Sequence, residues 1–413
     1  MLNQEPIEEL SYLEESIQRI RENPDQKVSL RKKLAAGAVS LGLKLFYNIS
    51  VNGLENLDGV SKDDAQVIAW NHLSIIDPFI GLSYILKATG QEIHPIAKQE
   101  AWEEEGIMGK INRLGLDLGP SIPINRNEPL KTLKRVKKLL QGEAAKPKVE
   151  PPTPEISPVP AWIAIAPEGT RSYSGALLDF EPAGVGLLLN SDAKKVIPVN
   201  INYSLSKQQI LKIRRLNWQR KRAYVNIGEV YEPNREKRGR VDQNEVAQDL
   251  YGILGKLTTI TVDHVVACML GQIAESGNGL KIDRIYDRSL DIFRALTEQG
   301  YNVQSGVFDE KKRKKYIEAT LKLFYENGMI DERNCNHEKI LTPFRTYMLD
   351  PRLNGIRSVN LKLEGEEVDD LHSSMSDEDK AVGKGFKEYN PVGYLRNNAG
   401  KEVEAIVKKH MGS

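Results

Sequence analysis

The fold of this chain is decided by one stretch, Ala65-Gln-Val-Ile-Ala-Trp-Asn-His-Leu-Ser-Ile-Ile-Asp-Pro-Phe-Ile80. It opens with a short apolar run, Val67 to Trp70, which is typical of a buried strand. Pro78 suits the first turn of a helix because its missing N–H is not needed there, so the pattern predicts a helix that Asp77 caps. His72 is therefore expected at the carboxyl end of a strand and Asp77 at the amino end of the next helix, where open α/β sheets bind ligands.

The spacing of His72 and Asp77 predicts a general base. A histidine becomes useful in that role when a carboxylate accepts its other N–H and fixes the direction of the ring. The sequence contains no Gly-x-Ser-x-Gly motif, so we expect the nucleophile to be a hydroxyl of the substrate. Taken alone, the pair is more typical of a loop histidine followed by a capping aspartate.

Three later segments favour the catalytic interpretation. They are Ser121-Ile-Pro-Ile-Asn-Arg-Asn127, Ile163-Ala-Ile-Ala-Pro-Glu-Gly-Thr-Arg-Ser172 and Val196-Ile-Pro-Val-Asn200. Together with Asn-His-x4-Asp, and in this order, they resemble the signature of the glycerolipid acyltransferases, the family of 1-acylglycerol-3-phosphate acyltransferases. The resemblance covers about residues 30 to 235, and the matching residues are Asn71, His72, Asp77, Arg126, Glu168, Gly169, Thr170, Arg171 and Pro198.

The resemblance implies a reaction and a set of site residues. A fatty acyl group would pass from acyl-CoA or acyl carrier protein to a hydroxyl of 1-acylglycerol 3-phosphate, giving phosphatidic acid for phospholipid biosynthesis. His72 would act as the base and Asp77 would orient it, with a backbone N–H near Gly169 as a candidate donor to the oxyanion. The chemistry needs no metal or cofactor. Substrate contacts are expected from Asn71, Arg126, Glu168, Gly169, Thr170 and Arg171.

One departure from the family leaves the acceptor open. Many members follow the third block with Phe-Lys and then a Gly, whereas this chain has Phe180-Glu-Pro-Ala-Gly184. Glycerol 3-phosphate or another lysophospholipid is therefore an alternative acceptor. A further alternative is a lipid-binding scaffold that has kept the fold without turnover.

Composition narrows the class of protein. The chain has 413 residues and a net charge of +1, which gives no general basic field for nucleic acid. Its two cysteines form no disulfide framework, and the amino terminus is polar and acidic, so we expect a cytoplasmic protein. No apolar run reaches the ~18 residues of a membrane span, so a lipid substrate would place the protein on the membrane surface.

Periodicity predicts an α/β domain with a mixed, largely parallel sheet flanked by helices, and a helical C-terminal appendage. The expected divisions are N-terminal helices over 1–50, an acyltransferase domain over 51–259, a helical domain over 260–363 and a flexible tail over 364–413. Predicted strands lie near 65–70, 93–98, 116–124, 162–166, 195–203 and 223–231, and predicted helices near 78–89, 101–114, 129–141, 182–191, 243–259, 262–273, 282–296 and 309–327.

Each of four segments is open to two interpretations. The amphipathic segment 29–47 fits either the membrane interface or the domain core. The basic helix 131–140 either attracts phosphate groups or is a solvated face, and the basic stretch 212–222 with Trp218 favours a membrane surface over nucleic acid. Six prolines in 146–160 indicate an extended insertion, either a spacer or a partner site.

Overall fold

In the computed structural model of the protein, the described residues are 37, 41–44, 46–61, 64–74, 76–91, 93–98, 122–124, 162–172, 175–180, 182–190, 193–206, 208–213, 216–235, 240–276, 280–326, 329–335, 338–343 and 391–412. Arg126, the Pro-rich insertion 146–160 and the helices predicted near 101–114 and 129–141 lie outside them.

The first part of the described chain alternates strands and helices. The strands are β1 (Tyr47–Asn52), β2 (Gln66–Trp70), β3 (Ile93–Lys98), β4 (Ile122–Ile124), β5 (Trp162–Ile165), β6 (Lys195–Tyr203), β7 (Gln208–Ile213) and β8 (Leu216–Ile227). The helices are α1 (Asp77–Thr89), α2 (Pro182–Leu189) and α3 (Gln243–Lys256). The α/β class is confirmed, and β6 has the predicted bounds.

These strands form one mixed, mostly parallel sheet in the order β1-β8-β6-β2-β5-β3-β4, with β7 paired to β8. β2 lies parallel to both β5 and β6, which makes it a central strand. Antiparallel pairing occurs where β8 meets β6 and β7. Helices cover both faces of such a sheet, so its central strands are buried on both sides and mostly apolar.

β2 shows how the sheet is buried on both sides. Val67 and Ala69 pack on the face covered by α2 and α3, whereas Ile68 and Trp70 pack on the face covered by α1. This alternation follows from the two-residue period of a strand. Ile80 packs from α1 onto the same face as Ile68, and the pair fixes where α1 begins relative to the end of β2.

The segment expected to form an amphipathic helix over 29–47 is described only in part. Residues 37, 41–44 and 46 are helical. Leu43 packs against the α1 face of the sheet, while Phe46 is 60% exposed. Contact with a membrane therefore stays a prediction for this segment.

A second core lies in the C-terminal part of the chain. It is built by α4 (Val262–Ser276), α5 (Ile282–Glu298) and α6 (Glu310–Glu326), as the sequence predicted, and by α7 (Pro391–Ala399) and α8 (Lys401–Met411). A small antiparallel sheet that the sequence did not predict accompanies the helices, formed by β9 (Leu280–Lys281), β10 (Ile330–Cys335) and β11 (Glu338–Pro343).

The prediction of a flexible tail over 364–413 is wrong for residues 391–412. Leu395, Val403 and Val407 are completely buried against the second core. These residues recur at helical spacing among many charges, and a short helix of this kind gains its stability from the partner that it packs on. The polar composition of the segment therefore did not indicate that it is ordered.

Buried amides join β6 to α3 and to the segment that leads into α4. Asn200 donates to the carbonyl of Leu254 at 2.9 Å, and Asn202 donates to the carbonyl of Thr259 at 2.9 Å while accepting from its N–H at 3.2 Å. A buried amide is stable only when it is hydrogen-bonded. β6 is thus held to the segment that leads into α4.

Candidate active site

His72 and Asp77 lie in the short connection between β2 and α1, at the carboxyl end of the parallel strands. His72 Nδ1 is 3.2 Å from Asp77 Oδ2, and the side chains are 22% and 0% exposed, respectively. Asp77 thus holds one ring nitrogen, Nδ1, and the ring itself is partly exposed. This is the geometry of a base oriented by a carboxylate.

Asp77 does not cap α1 in the way that the sequence suggested. The cap position is Ile76, and no side-chain bond caps the helix. The carboxylate turns back to the loop instead, where Oδ2 accepts from the N–H of Leu73 at 2.6 Å and of Ser74 at 2.5 Å. Because Asp77 is the first residue of α1, its carboxylate faces the preceding turn, and it stabilises the loop that carries His72.

Glu168 joins the Pro-Glu-Gly-Thr-Arg-Ser block to His72. Its Oε1 accepts from the N–H of His72 at 2.6 Å, and its Oε2 accepts from the N–H of Leu178 at 3.0 Å. The carbonyl of His72 accepts from the N–H of Ser172 at 2.8 Å. Both backbone groups of His72 are therefore bonded to this block, and the two blocks form one local structure.

The environment of Glu168 changes its acid strength. Burial raises the pKa of Glu168 to about 8, and the negative charge of Asp77 acts in the same direction, while the two backbone donors oppose the change. The sequence predicted a substrate contact for Glu168. Its oxygens contact backbone N–H groups instead, which is a role in holding the loops together.

Asn71 also bonds to backbone rather than facing an open cleft. Its Nδ2 donates to the carbonyl of Ile201 at 3.0 Å, and its Oδ1 accepts from the N–H of Ile201 at 2.6 Å. The side chain is buried, so it extends the pairing of β2 and β6 by one step. This geometry favours positioning of His72 over the substrate contact that the sequence predicted.

The remaining residues of the third block surround this structure. Gly169 adopts φ 64°, which favours glycine, and its N–H donates to the carbonyl of Ala166 at 3.0 Å. That bond engages the N–H of Gly169 itself, so an oxyanion donor would have to come from a neighbouring group. Thr170 is buried and Arg171 is half-buried. Arg126 lies outside the described residues, so its contact with a substrate stays a prediction.

Sequence reasoning missed one member of the site, Tyr203. It is the last residue of β6, and its hydroxyl donates to Asp77 Oδ1. No motif includes this tyrosine, because its contact with Asp77 depends on the pairing of β2 with β6. The available signal was its place at the end of the predicted strand 195–203, three residues after Asn200.

Two features are absent from the described residues. No group of three or more His, Cys, Asp or Glu side chains among them is arranged to hold a metal ion. None of the helices in these parts of the chain has the length and apolar character that crossing a bilayer requires.

The comparisons with known proteins agree with this geometry. No curated protein matches the chain. Residues 48–202, however, match the family model described as Acyltransferase. The matched range begins in β1, ends in β6, and contains His72, Asp77 and the Pro-Glu-Gly-Thr-Arg-Ser block. By this match, residues 48–202 are similar to an acyltransferase domain, which supports acyl transfer as the chemistry of the site.

Proposed function

We propose that the protein transfers a fatty acyl group from an acyl thioester to a hydroxyl of 1-acylglycerol 3-phosphate, making phosphatidic acid. The observation that carries this proposal is the His72–Asp77 pair at 3.2 Å, whose histidine is bonded through its own backbone to the Pro-Glu-Gly-Thr-Arg-Ser block. A buried carboxylate and a partly exposed imidazole fit the activation of a hydroxyl.

The proposed reaction assigns a role to each member of the pair. His72 Nε2 takes the proton of the acceptor hydroxyl as its oxygen attacks the thioester carbonyl. The C–S bond then breaks, and the thiolate leaves with a proton from the imidazolium. Asp77 stabilises the imidazolium between these steps, and a base placed in this way contributes about 10²–10⁴-fold to the rate.

Recognition of the acceptor phosphate is assigned to arginines. A guanidinium makes bidentate bonds to phosphate, and Arg171 belongs to the block that contacts His72. Arg126 is the second candidate for this role. The donor is acyl-CoA or acyl carrier protein, and the protein acts on the cytoplasmic surface of a membrane, where its acceptor lies.

The test is release of free thiol from acyl-CoA by purified protein with liposomes, comparing 1-acylglycerol 3-phosphate, glycerol 3-phosphate and no acceptor. We expect release that requires 1-acylglycerol 3-phosphate and falls about 10²–10⁴-fold in His72→Ala. His410→Ala, which removes a histidine from the last helix, is the matched control and is expected to keep full activity. Release that requires glycerol 3-phosphate would assign that acceptor instead.

If neither acceptor supports thiol release from acyl-CoA, the same assay is repeated with acyl carrier protein as donor. If no donor supports release while the protein still binds liposomes, acyl transfer to these two acceptors is wrong, and another lysophospholipid acceptor or a lipid-binding scaffold remains.

A further inference from the structure

The two oxygens of the Asp77 carboxylate face different numbers of hydrogen-bond donors. Oδ2 faces three of them: the N–H of Leu73 at 2.6 Å, the N–H of Ser74 at 2.5 Å and His72 Nδ1 at 3.2 Å. Oδ1 accepts from the hydroxyl of Tyr203. The contact with His72 is the longest of the three on Oδ2, so it is the first to be lost if the carboxylate turns.

Tyr203 is well placed to prevent that rotation. It is 4% exposed, and its ring packs against that of Tyr47 with centroids 5.8 Å apart and planes tilted by 58°. Burial and the nearby Asp77 raise the pKa of Tyr203 well above its ordinary value, so the hydroxyl keeps its proton and remains a donor. A buried carboxylate oxygen that lost this donor would be left without compensation for its desolvation.

The backbone on both sides of Tyr203 is also fixed. Tyr203 itself pairs with Ala223 of β8, and the N–H of Ser204 donates to the carbonyl of Arg222 at 3.0 Å. Asp263, at the start of α4, accepts from Ser204 Oγ at 2.6 Å. The hydroxyl of Tyr203 therefore approaches Asp77 from a rigid strand and not from a loop.

We propose that Tyr203 is a positioning residue, which fixes the rotation of the Asp77 carboxylate and, through it, the tautomer and direction of the His72 ring. The inference rests on the proposed function above. Tyr203 touches no reacting atom. With Oδ1 held by Tyr203, Oδ2 stays aimed at His72 Nδ1, the neutral ring carries its proton there, and Nε2 is left to accept a proton from the substrate.

The test compares wild type with Tyr203→Phe, which removes one oxygen atom and leaves the ring. Tyr224→Phe is the matched control, because Tyr224 is also buried but follows Ala223 on β8 and thus faces the opposite side of the sheet. Ring ¹⁵N NMR of histidine-labelled protein reports which nitrogen carries the proton, and the signals of His72 are identified by their absence in His72→Gln.

In Tyr203→Phe we expect a larger fraction of His72 with the proton on Nε2 and a kcat lower by about 10- to 100-fold. The KM for the acceptor should change by less than about twofold, because the lost interaction does not bind substrate. An unchanged tautomer would overturn the proposal, whether or not kcat falls, since Tyr203 would then not act through His72.

The two proposals fail in different ways. Absence of thiol release in wild type would refute the acyltransferase function, while the tautomer comparison still decides the role of Tyr203. If Tyr203→Phe does not fold, 3-fluorotyrosine at position 203 keeps the ring and hydroxyl, replaces one ring hydrogen with a small fluorine atom, and makes the hydroxyl a stronger donor. Ring ¹⁵N shifts of His72 that then stay the same would overturn the proposal.

Discussion

Glu168 is a buried carboxyl group whose folded-state pKa, about 8, lies above its ordinary value of 4.5. Its contribution to stability is therefore fully present below pH 4.5 and is lost as the pH rises through about 8. Glu168→Gln removes this titration but turns an amide NH₂ toward a backbone N–H, at a cost of about 1–3 kcal/mol. Urea unfolding across this pH window should show the deficit of the variant narrowing toward the alkaline end. If the free energies of unfolding of wild type and variant changed in parallel with pH, the prediction would be wrong.

The pKa of His264 is shifted in the direction opposite to that of Glu168. Burial lowers the pKa of His264 from 6.5 to about 4, so its contribution to stability is present above pH 6.5 and is lost as the pH falls through about 4. The ring is part of a capping box, because His264 Nδ1 accepts from the N–H of Thr261 at 3.1 Å. Gln at this position can accept the same bond without titrating. We expect His264→Gln to move acid unfolding to lower pH, and an unmoved or higher midpoint would refute the assignment.

At the scale of elements, Asn71 continues the ladder between β2 and β6 with its side chain. Asn71→Ala leaves the N–H and carbonyl of Ile201 buried without these partners, and we expect a loss of about 2–5 kcal/mol in the free energy of unfolding. Asn234→Ala removes an exposed bond of 3.3 Å to Glu245 and should cost less than about 0.5 kcal/mol. Denaturant unfolding of both variants measures the difference. Equal losses would mean that the side chain of Asn71 does not clamp the strands.

The elements also show what sequence can and cannot predict. β2, β6 and α1 are long apolar patterns with clear breaks, and each lies within a residue of its predicted bounds. β1 reads Tyr-Asn-Ile-Ser-Val-Asn, a half-polar run that becomes a strand by pairing with β8, some 170 residues later. His72 and Asp77 could be predicted because they are neighbours in the chain. The donor from Tyr203 could not, since it depends on sheet register.

At the scale of the whole molecule, the last described helices contact the candidate site. Asn398 of α7 donates to the carbonyl of Gly175 at 3.0 Å. Gly175 follows the Pro-Glu-Gly-Thr-Arg-Ser block and precedes Leu178, whose N–H binds Glu168. Tyr394, also on α7, lies close enough to raise the pKa of Tyr203. The C-terminal helices thus support the loop that surrounds His72.

Gly175 is the position where this support can be tested. Its φ is +83°, and a Cβ there would lie 2.6 Å from the carbonyl oxygen of Tyr394, a backbone atom that cannot move without shifting α7. Gly175→Ala therefore combines left-handed strain of about 1–2 kcal/mol with a clash, and it should loosen α7 and α8 from the loop.

Gly252→Ala is the control, because Gly252 lies inside α3 with nothing within 4 Å and alanine should add about 0.5–1 kcal/mol of stability. We expect faster amide hydrogen exchange over residues 391–411 and lower thiol release in Gly175→Ala only. Wild-type protection of α7 in that variant would show that the C-terminal helices hold their place without the contact at Gly175.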